Sequence, residues 1–181
     1  MRVLQEQALL NHTNRPRAGG WAHLAGRFLK VVSARPLTDS ERARVTGWLR
    51  PSEVDLYYAQ PAHDQRHGLE AALFVSSHTE RTDLARAALL HDIGKRQARL
   101  GPIGRSLVTA WTKLGGKPGR RGRKYLDHGP IGARELTAVG AEPVVVAFAA
   151  THHHSRPAEI DPDDWGILQQ ADRVRRRSLP L

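Results

Sequence analysis

The chain has 181 residues, a formal net charge of +10 and no cysteine. This length predicts one domain with a real core, and the missing thiols exclude disulfide frameworks, thiolate zinc sites and iron–sulfur clusters. Any metal must therefore be held by His nitrogen and carboxylate oxygen. The positive charge favours anionic partners such as nucleotides, nucleic acid or acidic lipid, although a GC-rich genome that prefers Arg to Lys would give the same balance.

Residues 1–60 are predicted to form a helical N-terminal extension. A polar arm over residues 1–18 precedes a helix predicted for Trp21–Ser33. Thr38 or Asp39 can cap a second helix, and Pro51 is expected to open a short third one. The extension shows no signal peptide, and the longest apolar run of the chain is too short to span a bilayer. These features predict a cytoplasmic protein without a membrane partner.

Residues 61–181 are predicted to form the main domain. A long helix is expected over Pro61–His78, with an apolar stripe along one face. Asp83 is expected to cap the next helix, and Gly94 to end it just after the pair His91-Asp92. A short helix over 101–113 and a flexible basic loop over Gly115–Lys124 complete this half.

The remainder of the sequence predicts three more helices. One begins at Asp127 or His128 and runs toward Gly140, and one is opened by Glu142-Pro143. The last covers residues 161–176, with Asp161 as its cap. The chain has no alternating strand pattern of useful length, so the fold is predicted to be all-α.

Four metal-capable side chains fall on or beside apolar helical faces. They are His67, His91, Asp92 and Asp172. A lone residue of this kind is more often a hydrogen-bonded core residue than a ligand. Burying two imidazoles and two carboxylates together is costly, and a bound cation would compensate the carboxylates. This donor set suits zinc, manganese, iron or nickel better than calcium.

In this order and context, the residues resemble the HD superfamily of metal-dependent phosphohydrolases. The segment His91-Asp92-Ile93-Gly94 is similar to its HDIG type, and the resemblance covers about residues 67–172. It implies a stand-alone HD-domain-like helical bundle over residues 61–181. It also implies that His67, His91, Asp92 and Asp172 bind one metal, with Asp92 bridging to a second where one is present. Manganese, iron, cobalt, nickel, zinc and magnesium are all candidates for one or two ions.

Further histidines resemble the additional ligands of members with two metals. His128, which Gly132 follows four residues later, fits that pattern, and so does a pair within His152–His154. Both the His152/His153 and the His153/His154 registers are open. The competing interpretations are a helix N-cap for His128 and a solvated helix end for the three consecutive histidines.

The resemblance implies hydrolysis of a phosphate ester by a metal-activated water, with Asp92 as a catalytic residue. Lys95 either faces the phosphate or is only a favourable charge at a helix C-terminus. The expected substrate is a nucleotide or a related small phosphoester. Ser155-Arg156-Pro157 replaces the Gly-Tyr-Pro signature of the cyclic-di-GMP branch, which argues against that substrate.

Two other functions stay open. The basic residues between 113 and 124, and those that follow Asp172, would suit a nuclease or phosphodiesterase acting on RNA or DNA. The basic loop could equally be a solvated connection. A non-catalytic module that binds a metal or a nucleotide is the third possibility.

Overall fold

The structure is a computed structural model, and it describes residues 35–174. Over this range the chain forms nine α-helices and one 3-10 helix and contains no strand, so the all-α prediction is confirmed. The arm over residues 1–18 and the predicted helix Trp21–Ser33 lie outside the described residues. The elements are α1 (Asp39–Trp48), α2 (Pro51–Tyr58), α3 (Ala62–Ser76), α4 (Thr82–Leu90), the 3-10 helix (Ile93–Ala98), α5 (Pro102–Lys113), α6 (Arg120–Leu126), α7 (His128–Ala138), α8 (Pro143–Thr151) and α9 (Pro162–Arg173).

Several helices begin where local chemistry predicts. The Thr38 hydroxyl accepts a hydrogen bond from the Glu41 backbone at 3.3 Å, and the Glu41 carboxylate accepts one from the Thr38 backbone at 2.7 Å. This reciprocal capping box satisfies two backbone N–H groups at the start of α1. Pro51 occupies the first turn of α2, and the Asp161 carboxylate caps α9 through the Asp163 backbone at 2.9 Å.

Helix α4 departs from the prediction at both ends. Arg81, rather than Asp83, occupies the N-cap position, and Asp83 lies in the first turn paired with the Arg81 guanidinium at 2.6 Å. The helix ends at Leu90 instead of continuing to Gly94, because the backbone turns at Asp92 (φ −100°, ψ 4°) into the 3-10 helix. Gly94 is therefore not a helix stop, and its φ is not positive.

The predicted basic loop is partly helical, which corrects the expectation for Gly115–Lys124. Helix α6 begins at Arg120, and its buried Gly122 packs against Pro118 and Val108 so closely that a Cβ would lie 2.8 Å and 3.1 Å from their side chains. The glycine that suggested flexibility is thus needed for packing. Only residues 114–119 connect α5 to α6 without regular structure.

Helix α4 lies at the centre of the core. All its residues from Leu84 to Leu90 are buried, and they contact α3, α8 and α9. Close backbone approach sets the spacing of α3 on α4, since a Cβ on Gly68 would lie 2.6 Å from the Leu89 carbonyl oxygen. This approach brings His67, next to Gly68, to the end of α4 where His91 lies.

Buried ion pairs join helices that are distant in sequence. Arg105 of α5 binds Asp64 of α3 through two hydrogen bonds of 2.7 Å, both at buried side chains. The wholly buried Glu53 lies 3.6 Å from Arg86, which also pairs with Glu142. Such pairs hold the helices in place relative to one another, because a buried charge that loses its partner strongly destabilises the fold. No helix among the described residues is both long and apolar enough to cross a membrane.

Candidate metal centre

One group of donors forms where α3, α4 and α9 meet. His91 Nε2 lies 3.1 Å from Asp172 Oδ1, and His67 Nε2 lies 3.4 Å from the same oxygen. Asp92 Oδ2 faces this group, 3.4 Å from His91 Nε2 and 3.9 Å from His67 Nε2. The structure therefore brings together the four residues that the sequence predicted as ligands of one metal.

A second group of donors faces the other oxygen of the same carboxylate. Asp92 Oδ1 lies 3.4 Å from His128 Nε2 and 3.5 Å from His152 Nε2, and the two histidine nitrogens are 3.2 Å apart. The rings of His153 and His128 lie 5.1 Å apart, and His128, His152 and His153 offer donor atoms within reach of one ion. His154 is exposed and belongs to none of the donor groups of the described residues.

The helix ends fix the orientation of three imidazoles. His91, His128 and His152 each donate a hydrogen bond from Nδ1 to the carbonyl three residues earlier, at 2.8, 2.7 and 3.0 Å. These carbonyls belong to the last turns of α4, α6 and α8, where the helix leaves backbone acceptors free. A carbonyl only accepts, so Nδ1 carries a hydrogen in each ring, and Nε2 is the nitrogen that faces the centre.

The donor set fits a divalent cation. Asp92 Oδ1 is buried and has no hydrogen-bond partner among the described residues. Two imidazole Nε2 atoms, those of His128 and His152, lie against it, and because Nδ1 carries a ring hydrogen each Nε2 would present a lone pair to a bound ion. Metal–ligand bonds of about 2.1 Å place neighbouring ligand atoms roughly 3.0–3.5 Å apart, which is close to the separations at this centre. His nitrogen and carboxylate oxygen are also the donors that transition metals prefer in proteins.

The electrostatics of the centre keep both carboxylates charged. Burial would raise the pKa of Asp172, but hydrogen bonds with His67 and His91 outweigh it and hold that pKa far below its usual range. Burial acts in the same direction on the pKa of Asp92, which His91 and Lys95 nevertheless hold well below its ordinary value. The centre therefore offers two carboxylates that are negative across the whole physiological pH range.

Lys95 and His153 lie at the edges of the centre. The Lys95 ammonium contacts Asp92 Oδ2 directly, and its side chain is 18% exposed. Burial would lower the pKa of Lys95, but the Asp92 carboxylate outweighs it and the pKa is raised. Burial and the neighbouring His152 and His128 lower the pKa of His153 to about 4, so this ring is neutral at neutral pH.

Several supporting residues were not predicted. The ring of Tyr125 stacks on that of His128 with centroids 5.9 Å apart, and the Gln169 amide donates to the His152 carbonyl at 2.7 Å. The Asp64–Arg105 pair joins the start of α3 to α5. Asp64 precedes His67 by about one helical turn, so its spacing was a usable signal. No sequence signal pointed to Arg105 or Gln169, whose partners are remote along the chain.

Comparison with known proteins gives a family for the part of the chain that contains the metal centre. A family model described as HD domain matches residues 65–177, which is more than half of the chain. No curated protein and no solved structure matches it. HD domains form a superfamily of metal-dependent phosphohydrolases that bind divalent metals. The matched range contains all the residues of both donor groups.

Proposed function

The chain belongs to the HD domain family, and on this premise we propose that it hydrolyses a nucleotide or a related small phosphate ester with one or two divalent ions. One observation carries the proposal: the two oxygens of Asp92 face two separate groups of imidazole nitrogens, at 3.4–3.9 Å on one side and 3.4–3.5 Å on the other. A carboxylate placed in this way is suited to two ions that share it.

The proposed ligands divide between the two sides of Asp92. His67, His91 and Asp172 serve one side, and His128 and His152 serve the other. His153 lies at the exposed edge of the second side, where it can complete the ligand set. When bound, a divalent ion lowers the pKa of a water molecule and polarises phosphoryl oxygens. The protein residues hold their donor atoms in place through helix-end hydrogen bonds and buried packing.

Lys95 is proposed to contact the phosphate. Its ammonium is held at the centre by Asp92, and part of its side chain is accessible from outside. A fixed cation beside a reacting phosphoryl group stabilises the negative charge that develops on its oxygens. The alternative, a charge that only favours a helix end, accounts less well for an ammonium that contacts a proposed ligand.

A nuclease acting on RNA or DNA is the second candidate function. It is supported by six exposed Lys and Arg side chains within residues 113–124. A phosphate backbone held by several of these cations would make activity fall steeply with salt, whereas hydrolysis of a small phosphoester would change little. Salt dependence measured on both substrate types separates the two functions.

The test combines metal analysis with hydrolysis assays. Protein purified without any chelator is first analysed for bound metal. It is then assayed on a panel of nucleotides and other phosphoesters with manganese, iron, cobalt, nickel, zinc or magnesium. Asp92→Asn keeps the side-chain shape but removes the charge, so both metal content and turnover should fall at least tenfold. Asp55→Asn, on the exposed surface of α2, is the matched control and should retain both.

The outcomes distinguish the alternatives. A metal content of zero in the untreated wild type would contradict the site. Unchanged turnover in Asp92→Asn would contradict the role of that residue. Bound metal without turnover of any phosphoester would leave a non-catalytic binding module as the function.

A further inference from the structure

The charge of this chain is concentrated in one stretch. Residues 93–126 contain ten of the 28 Lys and Arg residues and none of the 18 Asp and Glu residues. Their formal charge therefore equals the net charge of the whole chain. Lys95 and Arg105 are used inside the fold, but six cations of the basic segment, residues 113–124, are exposed. They are Lys113, Lys117, Arg120, Arg121, Arg123 and Lys124.

Helix α5 and its C-cap residue Leu114 carry an apolar stripe beside the basic segment. Ile103, Leu107, Trp111 and Leu114 are 58%, 64%, 57% and 84% exposed, the highest values among the large apolar side chains of the described residues. At 3.6 residues per turn, these positions fall within an arc of about 80°. Four large apolar side chains at helical spacing form a continuous exposed surface, which a solvated helix does not need.

The opposite face of α5 holds the helix to the protein. Arg105 is buried there against Asp64, with two hydrogen bonds of 2.7 Å. The ring of Trp111 is also fixed, because its Nε1 donates to the Lys117 carbonyl at 3.2 Å and Gly116 packs against the ring. Among the described residues, the apolar stripe therefore lies on the side of α5 that faces away from the buried Arg105 attachment.

We infer that the apolar stripe of α5 and the adjacent basic segment dock onto the surface of a bilayer that contains anionic lipids. The helix would lie in the plane of the interface, with the apolar stripe among the acyl chains and the cations at the headgroups. Helices with Trp and Leu on one face and nearby Lys and Arg bind such surfaces. This inference departs from the expectation of no membrane partner, and it requires no helix that spans the bilayer.

Other occupants fit the surface less well. Ile103, Leu107 and Leu114 gain nothing from a nucleic-acid backbone, which would use only the cations. Symmetric pairing of two copies through this face would bring two strongly positive segments together, and like charges oppose such contact. An anionic lipid surface satisfies the cations and the apolar side chains at once. This inference is independent of the proposed hydrolysis.

The test uses the full-length protein and sedimentation with lipid vesicles. Wild type should sediment with vesicles of phosphatidylcholine mixed with phosphatidylglycerol, but not with phosphatidylcholine alone, and high salt should weaken the binding. Arg120→Ala/Arg121→Ala removes two cations, and each cation near such a surface contributes about 1 kcal/mol to binding. The double variant should therefore bind anionic vesicles roughly ten- to thirtyfold more weakly. The matched control, Arg44→Ala/Arg134→Ala, removes two exposed arginines outside the segment and should bind like wild type.

A second measurement reports on the apolar stripe. Trp111 emission should shift to the blue on anionic vesicles and be quenched by brominated acyl chains, and Trp111→Phe should lose that signal. Ile103→Ser/Leu107→Ser should bind at least tenfold more weakly with an unchanged circular dichroism spectrum, because both side chains are exposed.

Three results would overturn the inference. The first is wild type that fails to sediment with anionic vesicles at low salt. The second is equal sedimentation of wild type and Ile103→Ser/Leu107→Ser. The third is a wild type that binds RNA but not lipid vesicles, with the RNA binding abolished in Arg120→Ala/Arg121→Ala. That result would assign the basic segment to nucleic acid.

Discussion

Replacing Gly94 by alanine should destabilise the protein through a clash that has no rotatable side chain to relieve it. A Cβ on Gly94 would lie 2.0 Å from the His128 carbonyl oxygen and 2.7 Å from the Gly132 backbone nitrogen. Carbon and oxygen atoms in contact normally lie about 3.3 Å apart, so the 3-10 helix and α7 would have to separate by about 1.3 Å. Over-packing of this kind costs about 1–3 kcal/mol even where side chains can move. Gly94→Ala should therefore lower the free energy of unfolding by at least that amount.

The assay is denaturant unfolding in the presence of a chelator, so that metal binding does not contribute to the free energy. Gly47→Ala is the control, because a Cβ there meets nothing within 4 Å. In a helix this change should stabilise by about 0.5–1 kcal/mol. A Gly94→Ala protein as stable as wild type would refute the close approach of the 3-10 helix to α7. Metal content is a second measurement: displacement of His128 from Asp92 should lower it in Gly94→Ala but not in Gly47→Ala.

Three further predictions concern the ligands, a buried ion pair and pH. His152→Ala should lower the number of bound metal ions by metal analysis, while His154→Ala, which changes an exposed neighbour outside both donor groups, should leave it unchanged. Arg105→Met leaves Asp64 buried without its partner and should cost about 3–5 kcal/mol in thermal or denaturant unfolding, and adding Asp64→Leu should restore part of the loss. A hydrogen bond from Arg66 lowers the pKa of Glu41 from its ordinary value of 4.5 to about 2. The stability due to this lowered pKa is therefore full above pH 4.5 and is lost as pH falls toward about 2. In Glu41→Gln, the free energy of unfolding should depend less on pH between 4.5 and 2, and its pH dependence above 4.5 should match that of wild type.

Elements with strong local signals were predictable from the sequence. The Thr38 and Glu41 capping box, the proline at the start of α2 and the Asp161 cap each depend on residues within one turn. The meeting of His67, His91 and Asp172 was also predictable, because each lies on an apolar helical stripe that must face the core.

Other features depend on contacts that composition does not reveal. Helix α6 was expected to be a loop because its segment is rich in glycine and arginine, yet Gly122 is required by the approach of Val108. Gly94 was interpreted as a helix stop, whereas the nearby backbone of α7 is what requires it. The histidine register was open because consecutive residues at a helix end point about 100° apart. Helix α8 ends at Thr151, and His152 and His153 are the residues of this run that lie in a donor group.

The concentration of charge has a consequence for how the molecule approaches any surface. Outside residues 93–126, the described part of the chain carries 17 Asp and Glu against 10 Lys and Arg, so a negative body adjoins a positive end. Over the described residues, this separation of charge gives an electric dipole moment directed toward residues 93–126. Near an anionic surface the field exerts a torque that turns the positive end forward, within about one Debye length of 8 Å at physiological ionic strength. The field of an anionic surface therefore favours orientations in which residues 93–126 face that surface at contact.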